Sequence, residues 1–182
     1  MKINNQIDTT SAGGGKYLDS REIKNSADGI KVRLYGDAEM GYSYFANTAE
    51  GKVTVIRSKD FPVMENATDG FQGAEQKPSK NFYAVAWNYA TEAPCLLTLD
   101  KVSLITPIET VINDKDLADA TDYDFKMTFN ANADPADKYK VVRLDKTDLT
   151  ADQKKELAAF AKETDLAAHA AGEAVEGADS PF

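Results

Sequence analysis

Side chains able to do covalent or metal chemistry are scarce in this chain and badly placed for it. Its one histidine, His169, stands in Ala167-Ala168-His169-Ala170-Ala171, and its one cysteine, Cys95, in the apolar run Cys95-Leu96-Leu97-Thr98-Leu99. Nucleophilic catalysis needs a base within hydrogen-bond reach of the nucleophile, and a zinc site needs several Cys or His at short spacing. The sequence marks neither, so His169 reads as a solvated helix residue. No catalytic residue, metal or cofactor is expected, and the chain is not expected to be an enzyme. Asp114, Asp116, Asp119, Asp122 and Asp124 follow no calcium loop, since the turn glycine and closing Glu are missing. They read as a solvated loop. Gly13-Gly14-Gly15-Lys16 fails as a phosphate loop: Tyr17 stands where Ser or Thr belongs, and no apolar strand precedes it.

Binding chemistry is better supplied. Tyr35, Tyr42, Tyr44 and Phe45 fall in one window, and Phe82, Tyr83, Trp87 and Tyr89 in another. Bases stack on exposed rings for about 1–3 kcal/mol each, with little regard to sequence, while neighbouring Lys and Arg neutralise phosphates. Lys31, Arg33 and Tyr35 share one face of a first strand, Arg57 and Lys59 close a third, and Lys77 and Lys80 enter a fourth. Alternation places Tyr42 and Tyr44 opposite Phe45, and Tyr83, Val85, Trp87 and Tyr89 opposite Phe82. Phe45 and Phe82 read as core, and Tyr35, Tyr42 and Tyr44 as an exposed platform. Trp87 is open to either reading, because strands favour aromatic residues for packing alone.

The chain ends in Ala178-Asp179-Ser180-Pro181-Phe182, after Glu173 and Glu176 and with no base from residue 170 onward. An apolar ring on an acidic tether suits a pocket rimmed by Arg or Lys. This ending resembles the acidic Pro-Phe tip of bacterial single-stranded-DNA-binding proteins, which implies partner binding by Asp179, Pro181 and Phe182.

With 182 residues, 42% hydrophobic and 28% charged, the chain affords one domain with appendages. The net charge of −9 is uneven: residues 1–106 hold 12 Lys or Arg against 13 Asp or Glu, and residues 107–182 hold 9 against 17. The acidity is C-terminal, so a basic face in the first half stays open. No apolar run reaches the ~20 residues of a membrane span, no secretory signal is visible, and Cys95 reads as a buried thiol. Together these point to the cytoplasm, that of a bacterial host if the gene is phage-borne.

The elements that must position these groups are mostly strands. Residues 1–15 read as a flexible arm. Residues 30–35, 40–45, 52–57, 82–89, 95–99, 122–130 and 138–144 read as strands, and residues 61–79 as a long loop. Thr106-Pro107-Ile108-Glu109 has the form of a helix start with a capping box, and Ile108, Val111 and Ile112 would pack. A second box, Thr150…Gln153, opens a C-terminal helix with the stripe Leu157, Phe160, Ala161, beyond which Leu166 falls off the stripe. The fold class is mainly β: a small OB-fold-like barrel with one interposed helix, a C-terminal helix and an acidic tail. The expected divisions are 1–15, 16–146, 147–171 and 172–182.

The central segment carries a further likeness. Lys80-Asn81-Phe82-Tyr83-Ala84-Val85-Ala86-Trp87-Asn88-Tyr89, an apolar strand, the helix to Asn113, Asp114-Lys115-Asp116 and Ala120-Thr121-Asp122-Tyr123-Asp124-Phe125-Lys126-Met127 occur in that order. This resembles the single-stranded-DNA-binding, helix-destabilising proteins of tailed bacteriophages, over roughly residues 29–144. The resemblance implies an OB-fold that coats single-stranded DNA in replication and recombination. Lys31, Arg33, Arg57, Lys59 and Lys80 would pair phosphates, and Tyr35, Tyr42, Tyr44 and Trp87 would stack bases. Replication and recombination proteins would be the partners of the tail. The zinc loop of many such proteins has no counterpart, because residues 61–79 hold no Cys or His. The rival expectation is a phage structural or adaptor barrel that binds a protein and no nucleic acid.

Overall fold

The computed structural model describes residues 16–173. Strand accounts for 38% and helix for 29%, in a strongly curled half-barrel sheet of the OB-like kind with helices on both faces. The spine is β2 (Ile30–Asn47), 18 residues long. It joins the two segments expected as separate strands, 30–35 and 40–45, into one ladder. The join is a bulge: Tyr35 pairs with Val85 and Ala38 with Ala84, so Gly36 and Asp37 are extra. Gly36 sits at φ +66°, a conformation costly for residues with a Cβ, and its absent side chain lets the strand turn there.

One edge of β2 pairs along its length with β4 (Ser79–Asn88), which continues to β5 (Ala93–Leu99). The opposite edge is shared. β6 (Tyr123–Phe129) takes Ile30–Arg33, and β3 (Val53–Ser58) takes Tyr42–Asn47 through the hairpin turn at Gly51. β7 (Tyr139–Asp145) extends the sheet beyond β6. Two elements not expected from the sequence close the other end: β1 (Tyr17–Asp19), parallel to β5, and α1 (Ser20–Asn25). Asp19 caps α1 by accepting from the N–H groups of Arg21 and Glu22, and only Leu18 and Ile23 supply large buried apolar groups. A pattern that short is lost in a polar context.

The inner face holds the main core, with Ile30, Val32, Leu34, Phe82, Leu97, Phe125 and Met127 under α2 (Val102–Asn113). The capping box expected at Thr106 is absent. The helix starts five residues earlier, and Pro107 lies inside it. An interior proline costs about 3 kcal/mol, but a helix from Pro107 would forfeit the buried Leu104 and Ile105, worth about 1.5–3 kcal/mol each. Burial wins. Leu104, Ile105, Ile108 and Val111 form the packed stripe, and Ile112, expected there, is exposed.

The outer face carries a smaller core of Val85, Trp87, Leu149 and Leu157, covered by α3 (Ala151–Glu163) and α4 (Leu166–Ala171). The Thr150–Gln153 box is formed: the Gln153 N–H donates to Thr150 Oγ1 at 3.2 Å, and Gln153 Oε1 accepts from the Thr150 N–H at 2.9 Å. The single expected C-terminal helix is broken at Thr164–Asp165. Asp165 caps a new helix, which swings Leu166 back onto the outer core. Beyond position 161 the stripe therefore does not end; the chain turns to bury it.

Candidate nucleic-acid interface

Lys31, Arg33 and Tyr35 do share the outer face of β2, but Arg33 is sealed there. Only 8% exposed, it donates from Nε to Asp124 Oδ1 at 2.8 Å, with Nη2 2.6 Å from the same oxygen and 3.1 Å from the Thr147 carbonyl. Asp124, expected in a solvated loop, is fully buried because β6 begins one residue before it. It also accepts from the Tyr89 hydroxyl at 2.9 Å and the Thr147 N–H at 3.0 Å. Burial alone would raise its carboxyl; hydrogen bonds from Thr147, Tyr89 and Arg33 outweigh that and hold it below the ordinary value. Burial and the same carboxylate push the Tyr89 hydroxyl up to about 12. Lys31 lies 4.0 Å over the Tyr89 ring, 3.5 Å from Asp124, and donates to Thr147 Oγ1 at 2.9 Å. Arg33 is thus a structural cation, and Lys31 is half committed.

Two expected stacking residues are corrected. Trp87 is 1% exposed beneath α3, its Nε1 without a hydrogen-bond partner among the described residues, so no base can reach its ring. Tyr44 is buried, its hydroxyl 3.5 Å from the Glu65 carbonyl oxygen because the long loop folds back over it. Phe45, expected in the core, is 53% exposed instead, since Tyr42 and Tyr44 take the inner face and alternation turns Phe45 to the outer one. Tyr35 is exposed near α3 and α4, away from the other rings.

What the structure brings together is a smaller group on the inner face of the β2–β3 hairpin. Tyr42 pairs in register with Lys80 on β4 and with Ser58 on β3. Its ring meets Phe61 edge to face at 5.3 Å, and Phe61 is 71% exposed. Lys80 is held by Glu109 of α2 at 2.5 Å, and Lys59 by Glu39 at 3.3 Å, both pairs open to solvent. Lys52, beside the hairpin turn, and Lys77, just before β4, are exposed. Arg57 is on the other face, against the C-terminus of α4. A Cβ at Gly172 (φ +76°) would lie 2.8 Å from the Arg57 Cβ. His169, expected in solvent, is half buried and edge-on to Tyr17, its pKa lowered by burial and then by the nearby Arg57 charge.

Phe61 was missed by period-based reasoning. Its signal lay in context: an aromatic residue in Asp60-Phe61-Pro62-Val63, outside any strand pattern, has no core face to fill. Of nine large hydrophobic residues exposed among the described residues, five fall from Phe45 to Val63, in the hairpin and the segment after it. Asp179, Pro181 and Phe182 lie outside the described residues. Among those described, no three His, Cys, Asp or Glu residues gather as a metal site, and no helix is long and apolar enough to cross a membrane. Comparison with protein-family models, curated proteins and solved structures finds no match.

Proposed function

We propose that this chain binds single-stranded DNA without sequence preference, as a coating protein of phage replication or recombination, along the β2–β3 hairpin rather than across the outer sheet face. The observation that carries the reading is the open ring pair Tyr42–Phe61 beside Lys80. Rings offer a π-face to any base, and the hairpin of an OB-like barrel is a habitual contact for oligonucleotides. Lys80 and Lys59 are paired, but exposed ion pairs are worth about 0–1 kcal/mol and a phosphate can displace such a carboxylate. The acidic tail would serve partner proteins.

The test is fluorescence anisotropy of a labelled oligo(dT) with the full chain. Tyr42→Ala and Phe61→Ala should each weaken binding by about 1–3 kcal/mol, and Lys80→Ala should weaken it and flatten its salt dependence. Tyr35→Ala should change little. The rival, a protein-binding adaptor, draws support from Val53, Ile56 and Val63, exposed aliphatic groups that stacking does not need. No detectable oligo(dT) binding at low salt favours that rival.

A further inference from the structure

The barrel has a seam, and the seam has the properties of a binding groove. Between Arg33, the last residue of β2 paired to β6, and Tyr42, the first paired to β3, that edge of β2 has no strand partner among the described residues. Backbone N–H and C=O groups on an open edge are a template for an added strand. A groove of about 540 Å³ runs alongside, floored by Leu34, Met40, Phe82 and Ala84 and walled by Ile112 of α2. Among the described residues four carboxylates line it, those of Asp37, Glu39, Glu109 and Asp119, and no Lys or Arg does. Lys59 and Lys80 pair with Glu39 and Glu109 from outside the lining, which leaves the groove net negative.

We infer that this seam binds an extended peptide of alternating basic and apolar residues from a partner protein, by addition to the β2 edge. Apolar side chains would meet the floor at every second position, and cations would meet the rim. The bulge divides the gap into Leu34–Tyr35 and Ala38–Gly41, and the longer piece gives room for about 13 Å of strand at ~3.3 Å per residue. A polyanion is repelled from the groove itself, which adjoins the hairpin surface through Glu39 and Glu109, and the inference does not rest on the DNA reading.

The probe is fluorescein-labelled Lys-Val-Lys-Val-Lys-Val, titrated with the full chain and followed by anisotropy and by amide exchange. Binding should be lost for the Glu-Val counterpart. Asp37→Asn should weaken it about threefold and Ile112→Lys, at an exposed helix position, more than tenfold. Amides between residues 34 and 41 should exchange more slowly with the peptide present. Undetectable binding of the Lys-Val peptide, equal binding by the Ile112→Lys chain with its melting temperature unchanged, or competition by spermidine without amide protection overturns the proposal.

Discussion

Asp124 is the residue whose loss should reveal most about how this sheet is held. Its two oxygens accept from Arg33, Tyr89 and the Thr147 N–H, tying β2, the residue that follows β4, β6 and the approach to α3 at one buried point. Asp124→Ala leaves the Arg33 guanidinium in place, 9% exposed and without its counter-charge. An uncompensated buried charge of this kind costs about 3–5 kcal/mol, a large share of the ~5–15 kcal/mol that holds a domain folded. With a urea slope near ~2 kcal/mol/M, the unfolding midpoint should fall by about 2 M. The double variant Arg33→Met, Asp124→Leu should recover a substantial part, because the charge is removed together with its partner. Equilibrium urea unfolding followed by Trp87 emission measures all three chains. A loss below about 1 kcal/mol for the single variant would mark the pair as an ordinary solvated one and refute the reasoning.

Trp87 emission in the folded chain should be blue-shifted and poorly quenched by acrylamide, and oligo(dT) at saturation should leave it nearly unchanged; strong quenching by DNA would contradict its burial under α3. His169 gives a pH dependence with a definite sign. Its folded pKa is lowered from about 6.5, so below that value the unfolded chain binds the proton more readily. Its contribution is complete above pH 6.5 and is lost as pH falls from there through the depressed folded value. Melting temperatures of the wild type and His169→Phe should therefore diverge between pH 7.5 and 5, with the wild type losing more; parallel curves would refute the coupling.

Period-two patterns made most of the sheet legible. Ile30, Val32 and Leu34, then Phe125 and Met127, are core as their alternation required, and the Thr150 box starts α3 where its chemistry demands. Three kinds of information were not in the pattern. Helix placement at Pro107 was decided by tertiary burial of Leu104 and Ile105, which no local signal weighs. The sidedness of Tyr44 and Phe45 depended on which face of β2 turns inward at the hairpin, where a loop folding back from Glu65 covers Tyr44. The fate of the basic outer face depended on α3 and α4, whose own stripe was legible but whose docking site was not. That stripe covers Val85 and Trp87, the face on which Lys31, Arg33 and Tyr35 also stand.

A cation counted in a sequence is therefore not yet a cation available to a ligand, and pairing and burial together decide which ones are. Arg33 and Lys80 each sit beside a carboxylate at hydrogen-bonding distance. For Lys80 the alternative to Glu109 is water or a phosphate, both close in free energy to the pair it has, so exchange costs about 0–1 kcal/mol. For Arg33 the alternative is a stranded Asp124 inside the fold, and exchange costs several times more. Stacking energies of about 1–3 kcal/mol per base can drive the first exchange and cannot drive the second. On the proposed reading Lys80 is therefore available to a phosphate, whereas Arg33, the more attractive phosphate ligand by type, belongs to the architecture.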